Sequence, residues 1–157
     1  MKVLIDDGVL LGFKNRAKLF YPLEYGEFIW GSKDNEDFVI TVIDRAYGCE
    51  NDEDDLDIES PYSYGDVVNG QTLLGTIHTH PNWSCVPSPT DLEGASEPPV
   101  EQVFGIVSLS RSGNRWLTGY GFYLTDGSPV ELVISKPDKK SRRNRGKQIL
   151  SPVSSEA

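Results

Sequence analysis

The sequence predicts a single α+β (α/β) domain, a mixed and mostly antiparallel sheet flanked by a few helices, followed by a disordered basic tail. Three observations carry that prediction. The chain has 157 residues, and domains of about 100–150 residues can bury one sizeable core. Short apolar runs bounded by Gly, Asn, Asp and Ser recur between residues 27 and 134 and read as strands, with helical spacing in only two short stretches. Beyond residue 135 the apolar pattern stops and Lys and Arg accumulate, which places a domain at 1–135 and a disordered tail at 136–157.

Phe13, Ala17 and Phe20 recur at i, i+4 and i+7, predicting a short amphipathic helix that stops before Pro22. Glu27-Phe28-Ile29-Trp30 and the run 38–43, separated by the turn residues 31–35, read as a hairpin. From Glu50 to Glu59, seven of ten residues are acidic, so this segment is expected to be a solvated loop. Leu73-Leu74-Gly75-Thr76-Ile77 reads as a buried strand that delivers His78-Thr79-His80 at its end. Ser88-Pro89-Thr90-Asp91 has the form of a helix start, with Ser as N-cap, Pro in the first turn and an acidic residue three on. Pro98-Pro99 closes that helix. The runs 103–109, 116–124 and 130–134 then predict a strand meander that completes the sheet.

Composition narrows the function classes. With 38% apolar and 25% charged residues the chain is globular in type, and no apolar run reaches the roughly 20 residues that cross a bilayer. Met1-Lys2-Val3-Leu4-Ile5 is followed at once by Asp6 and Asp7, a stretch too short and too acidic for a secretory leader, so a cytoplasmic protein is expected. Two cysteines, Cys49 and Cys85, are too few for a disulfide framework and read as reduced thiols. Residues 1–135 carry 8 Lys/Arg against 22 Asp/Glu, and residues 136–157 carry 7 against 2. An acidic body repels phosphate backbones, which argues against nucleic acid as the main substrate.

The two histidines of the chain both lie in His78-Thr79-His80. On a strand, residues i and i+2 share a face, so two imidazoles at this spacing can converge on one ion. Taken alone, the pair also fits two ordinary polar strand residues. A catalytic zinc site uses three protein ligands and keeps a fourth position open, and Asp91, in the first turn of the next helix, is the natural third ligand.

His78-x-His80-Pro81, six residues, then Ser88-x-x-Asp91 closely resembles the signature of the JAB/MPN (JAMM) zinc metallopeptidases, with every fixed position matched. The resemblance covers about residues 13–134. It implies one zinc ion per chain held by His78, His80 and Asp91, and hydrolysis of a peptide or isopeptide bond, as at the C-terminal tail of ubiquitin or a ubiquitin-like protein. It also implies a catalytic glutamate in a Pro-x-Glu stretch ahead of a strand, here Pro22-Leu23-Glu24, and an oxyanion hydrogen bond from Ser88. The family often has Gly three residues after that glutamate, where this chain has Glu27. Ser88 also reads as a helix N-cap only. Trp83 and Cys85 lie between the ligands, where they either line the groove and approach the metal or pack. The alternatives are a small-peptide or cell-wall peptidase of the same family, a non-catalytic JAB/MPN scaffold, and a two-His-one-carboxylate iron oxygenase, which usually draws its second histidine from a distant strand.

Overall fold

A computed structural model describes residues 1–45, 48–51, 56–98 and 100–136, with 48–51 and 56–58 followed as backbone. The predicted disordered tail, apart from Lys136, lies outside the described residues. In chain order the elements are β1 (Lys2–Asp6), α1 (Asp7–Lys18), β2 (Gly26–Asp34), β3 (Asp37–Arg45), β4 (Gly48–Asn51), β5 (Leu56–Glu59), β6 (Val67–Val68), β7 (Gln71–Pro81), α2 (Pro89–Ser96), β8 (Phe104–Ser112), β9 (Arg115–Tyr123) and β10 (Pro129–Ser135).

Alternation of apolar residues builds a mixed, mostly antiparallel sheet in the order β2-β3-β1-β10-β9-β8-β7-β6. Because β2 also pairs with β7, the strands β2, β3, β1, β10, β9, β8 and β7 close into a ring. Closure gives both long sides of β2 a partner, which removes the exposed edge that an open sheet would leave there. The hairpin β2–β3 and the meander β8–β9–β10 are antiparallel as expected, while β7–β8, β1–β3 and β1–β10 are parallel. Val3 and Ile5 of β1, Leu10, Phe13 and Ala17 of α1, and Ile29, Ile40, Ile77, Val107 and Leu109 of the sheet form the main core. Ala95 of α2, with Phe104 and Ile106 of β8, forms a second, smaller cluster on the other face of β8.

Several expectations need correction. Residues 2–6 form a strand between β3 and β10; their Lys-Val-Leu-Ile-Asp pattern is too short to stand out, and only the parallel partners make it a strand. The first helix starts at Asp7, capped by the Asp6 carboxylate, which accepts from the Gly8 amide at 2.7 Å. It ends at Lys18, so Phe20 lies beyond it, 38% exposed and stacked on Tyr25. The hairpin turn is tighter than expected, since β2 runs on to Asp34 and the chain reverses at Asn35, whose φ of 56° suits asparagine. The acidic segment is not a plain loop: 48–51 and 56–59 pair as an antiparallel hairpin, and only 52–55 fall outside the described residues. Leu56-Asp57-Ile58-Glu59 alternates like a strand, a pattern that its density of charge hides. The His78-Thr79-His80 triplet does sit at the end of its strand, β7, which closes one residue later at Pro81.

Gly75 fixes the approach of the next segment to β7. A Cβ there would stand 1.8 Å from the Val103 carbonyl oxygen, so only glycine lets the chain entering β8 cross so close. The Gln102 amide takes advantage of this, donating to the Leu74 carbonyl at 2.8 Å.

Candidate metal centre

Strand register decides which face carries the histidines. His78 stands beside Ile106 of β8 and Ile77 beside Gly105, and neighbours in adjacent strands share a face. Ile77 therefore joins the main core, while His78 and His80 join Ile106 on the side covered by α2. His80 is fully buried and His78 partly so. Asp91 reaches them from the first turn of α2, where Ser88 and Asp91 form a capping box. The Asp91 amide donates to Ser88 Oγ at 3.0 Å and the Ser88 amide donates to Asp91 Oδ2 at 2.9 Å. The cap thus satisfies the helix start and orients the carboxylate together.

The donor atoms converge. His78 Nε2 and His80 Nε2 are 3.2 Å apart, Asp91 Oδ1 is 3.0 Å from His78 Nε2, and Asp91 Oδ2 is 2.9 Å from His80 Nε2. His80 Nδ1 lies 2.8 Å from the Ser84 carbonyl oxygen. A carbonyl can only accept, so Nδ1 carries a hydrogen, and in the neutral ring Nε2 is left with a lone pair. That lone pair faces a second imidazole nitrogen and a carboxylate oxygen. Acceptors crowded at this distance need a cation among them, either a proton or a metal. The spacing suits a metal, because ligands about 2.0–2.1 Å from a tetrahedral zinc stand roughly 3.3 Å from one another. Burial alone would raise the Asp91 carboxyl, but the two imidazoles and the Ser88 amide outweigh it and hold the group well below the usual carboxylate range.

Glu24 completes the cluster. It is buried, and its carboxylate lies with His78 and His80 in a group whose ligand atoms are all within 4.8 Å of one another. The register explains its place: Gly26 pairs with His78, and the Thr79 amide donates to the Tyr25 carbonyl at 2.9 Å, so the chain entering β2 runs alongside the histidine strand. Glu27 points elsewhere. It is fully buried and takes two hydrogen bonds from Arg16, each 2.8 Å, and one from the Tyr25 hydroxyl. Glu24 and Glu27 are three residues apart, and the odd spacing puts them on opposite sides of the strand path.

The structure also places the residues between His80 and Ser88. The Trp83 indole stacks on the His80 ring, with centroids 3.5 Å apart and planes at 6°, and is 41% exposed. It therefore covers His80 from solvent rather than packing in the core. Cys85 is a free cysteine that packs against the Ala95, Phe104 and Ile106 cluster. Two neighbours of the site carry no sequence signal of their own. The Ser84 carbonyl orients His80, a backbone role open to any residue. Glu101, partly buried, accepts a hydrogen bond from the Thr76 hydroxyl, two residues before His78 on the same face.

This fold recurs among solved structures. A JAB1/MPN domain protein from Archaeoglobus fulgidus matches over 86% of this chain and 96% of its own, with 25% identity and a TM-score of 0.52. The chain has the JAB1/MPN fold. A structure described as a metalloprotease-like zinc site, JAMM, in the proteasome and signalosome matches 86% of this chain and 99% of its own, with 25% identity and a TM-score of 0.54. A protein from Desulfitobacterium hafniense, solved in solution, shares the fold at 15% identity, covering 88% of this chain and 96% of its own with a TM-score of 0.55. No protein-family profile matches the sequence, and no curated protein sequence does. The JAB1/MPN fold together with a His78, His80 and Glu24 cluster able to hold a metal is consistent with a zinc metalloprotease. Among the described residues no helix is long and apolar enough to cross a membrane.

Proposed function

We propose that this protein is a zinc-dependent peptidase in which His78, His80 and Asp91 hold the ion, Glu24 is the general base and Ser88 binds the oxyanion. The carrying observation is the donor set itself: two imidazole nitrogens and two carboxylate oxygens within 2.9–3.2 Å, with His80 locked as the tautomer that offers Nε2. A zinc ion held there would supply Lewis acidity, acidifying water and polarising the scissile carbonyl. Glu24 takes the proton of the attacking water and passes it to the leaving amine as the carbon–nitrogen bond breaks, giving a carboxylate and an amine. Ser88 Oγ accepts from the Asp91 amide, and its own hydrogen is left to donate to the oxyanion.

The bond cleaved is a peptide or isopeptide bond, and the leading substrate class is the C-terminal tail of ubiquitin or a ubiquitin-like protein. That class rests on the motif and on the likeness to the JAMM zinc-site structure. Zinc-loaded protein incubated with ubiquitin-like fusions, isopeptide conjugates and short peptides, with a chelator control, separates the possibilities. Chelator-sensitive cleavage of the fusions or conjugates is expected. Cleavage of short or cell-wall stem peptides alone would redirect the substrate, and no cleavage by a stoichiometrically loaded protein would make the chain a scaffold. Glu24→Gln should keep the zinc and lose roughly 10²–10⁴-fold in turnover, the usual contribution of a positioned acid–base group.

A further inference from the structure

Thr79 stands between the two histidines, 1% exposed, with its side chain on the face opposite theirs. Its hydroxyl oxygen accepts the Tyr25 amide at 2.9 Å, and its own amide donates to the Tyr25 carbonyl at 2.9 Å. In a continued antiparallel ladder both bonds of such a pair would join backbone atoms. Here the Thr79 side chain takes the place of its carbonyl, at the point where the chain turns into β2. Glu24 is the residue before this clamp. The rest of Tyr25 is held from the other side: its hydroxyl donates to Glu27, Glu27 is gripped by Arg16 of α1, and its ring stacks on Phe20 with centroids 4.5 Å apart. Burial, followed by the Glu27 hydrogen bond, raises the Tyr25 phenol, so it stays a donor.

We propose that Thr79 is a positioning residue for the reaction: its hydroxyl and amide fix the Tyr25 backbone and so hold Glu24 against the histidine pair. This rests on the reading of Glu24 as the general base. Threonine is required for a specific reason, since valine fills the same space but leaves the Tyr25 amide buried without an acceptor, whereas serine keeps the oxygen. Glu27 and Arg16 then have a role at the site without touching it. They anchor the far side of the residue that Thr79 holds.

The test uses the full zinc-loaded chain and whichever substrate the wild type cleaves. Thr79→Val should keep one zinc, hold KM close to the wild-type value and lose about 10- to 10²-fold in kcat, the scale of loss that a displacement near 1 Å produces. Thr79→Ser should restore most of the turnover. In a Glu24→Gln background Thr79→Val should cost nothing further, because the two changes act through one group. Should Thr79→Val fail to fold, Thr79→Ala replaces it with the same expectation. Unchanged kcat, an equal loss in both backgrounds, or a serine variant as slow as the valine one would each overturn the proposal. Amide hydrogen exchange at Tyr25 in the chelated protein gives a readout that needs no activity. It should speed up in Thr79→Val and not in Thr79→Ser, and equal protection in both would also overturn the proposal. A loaded wild type with no turnover would sink the peptidase reading while leaving the exchange result to decide whether Thr79 holds Tyr25.

Discussion

Carboxylates around this site differ in what faces them, and that difference separates their roles. Asp91 meets two imidazoles and an amide, Glu27 meets a guanidinium and a phenol, and Glu101 meets the hydroxyl and the backbone of one threonine, Thr76. Burial, opposed by the side-chain and backbone hydrogen bonds of Thr76 and helped by the charge of Asp91, pushes the Glu101 carboxyl up from 4.5 to about 6. A carboxyl that holds its proton more tightly when folded contributes stability below its unfolded pKa, and that contribution is lost as pH rises through the folded value. Between about pH 4.5 and 6, Glu101 should therefore weaken the fold by roughly 2 kcal/mol, because each tenfold change in proton affinity is worth about 1.36 kcal/mol. Glu101→Gln removes the titration and can keep the Thr76 bond. In chelated protein, urea unfolding at pH 4 and pH 7.5 should show the variant gaining on the wild type at the higher pH. Every other ionisable group is common to both proteins, so their effects largely cancel in the comparison, and a difference that stays flat with pH would sink the idea. The Glu101 environment was not legible in the sequence, because it depends on the close crossing at Gly75, which brings a residue 25 positions away against Thr76.

At the scale of elements, the motif was legible because its parts sit on the most regular pieces of structure. The i, i+2 histidines need only a strand, and Ser88-Pro89-Thr90-Asp91 spells its own helix start. Pro22-Leu23-Glu24 gave a weaker signal, since its place depends on the β2–β7 pairing between residues some 50 apart in sequence. The short β1 and the acidic hairpin were missed for the same reason: a five-residue strand or a heavily charged one is recognised by its partners, not by its own pattern. Ser88 belongs to an element and a site at once, and glycine separates those roles. As N-cap, Ser88→Ala should cost about 1 kcal/mol of stability and Ser88→Gly only a few tenths. As oxyanion donor, both should lose the same turnover, near 10²–10³-fold if the hydroxyl acts as such donors do elsewhere. Melting curves and kcat measured on both variants decide it. Should turnover follow stability, with the glycine form nearly normal, Ser88 is a cap alone.

Over the whole molecule, the candidate centre lies where independent parts of the chain are tied together. His78 and His80 come from β7, Asp91 from α2 and Glu24 from the entry to β2, the strand whose pairing with β7 closes the ring. In the absence of a bound ion, a proton must separate the acceptors at the His80 Nε2 corner. Metal binding replaces that proton and adds bonds that the unfolded chain cannot form in the same geometry, so the ion stabilises the fold in proportion to how far its concentration exceeds its Kd. At a hundredfold excess over Kd the gain is about 2.7 kcal/mol, which for a domain of this size raises Tm by several degrees. Zinc-loaded protein should therefore melt well above chelated protein at pH 7.5. The gap should shrink as pH falls, because metal binding requires deprotonated ligands and releases protons. His80→Ala and Asp91→Asn should lose most of the gap, whereas Glu24→Gln should keep it, since that carboxylate is assigned to the proton and not to the ion. If Glu24→Gln abolished the shift and Asp91→Asn preserved it, the two carboxylates would exchange roles, with Glu24 as the third ligand beside His78 and His80.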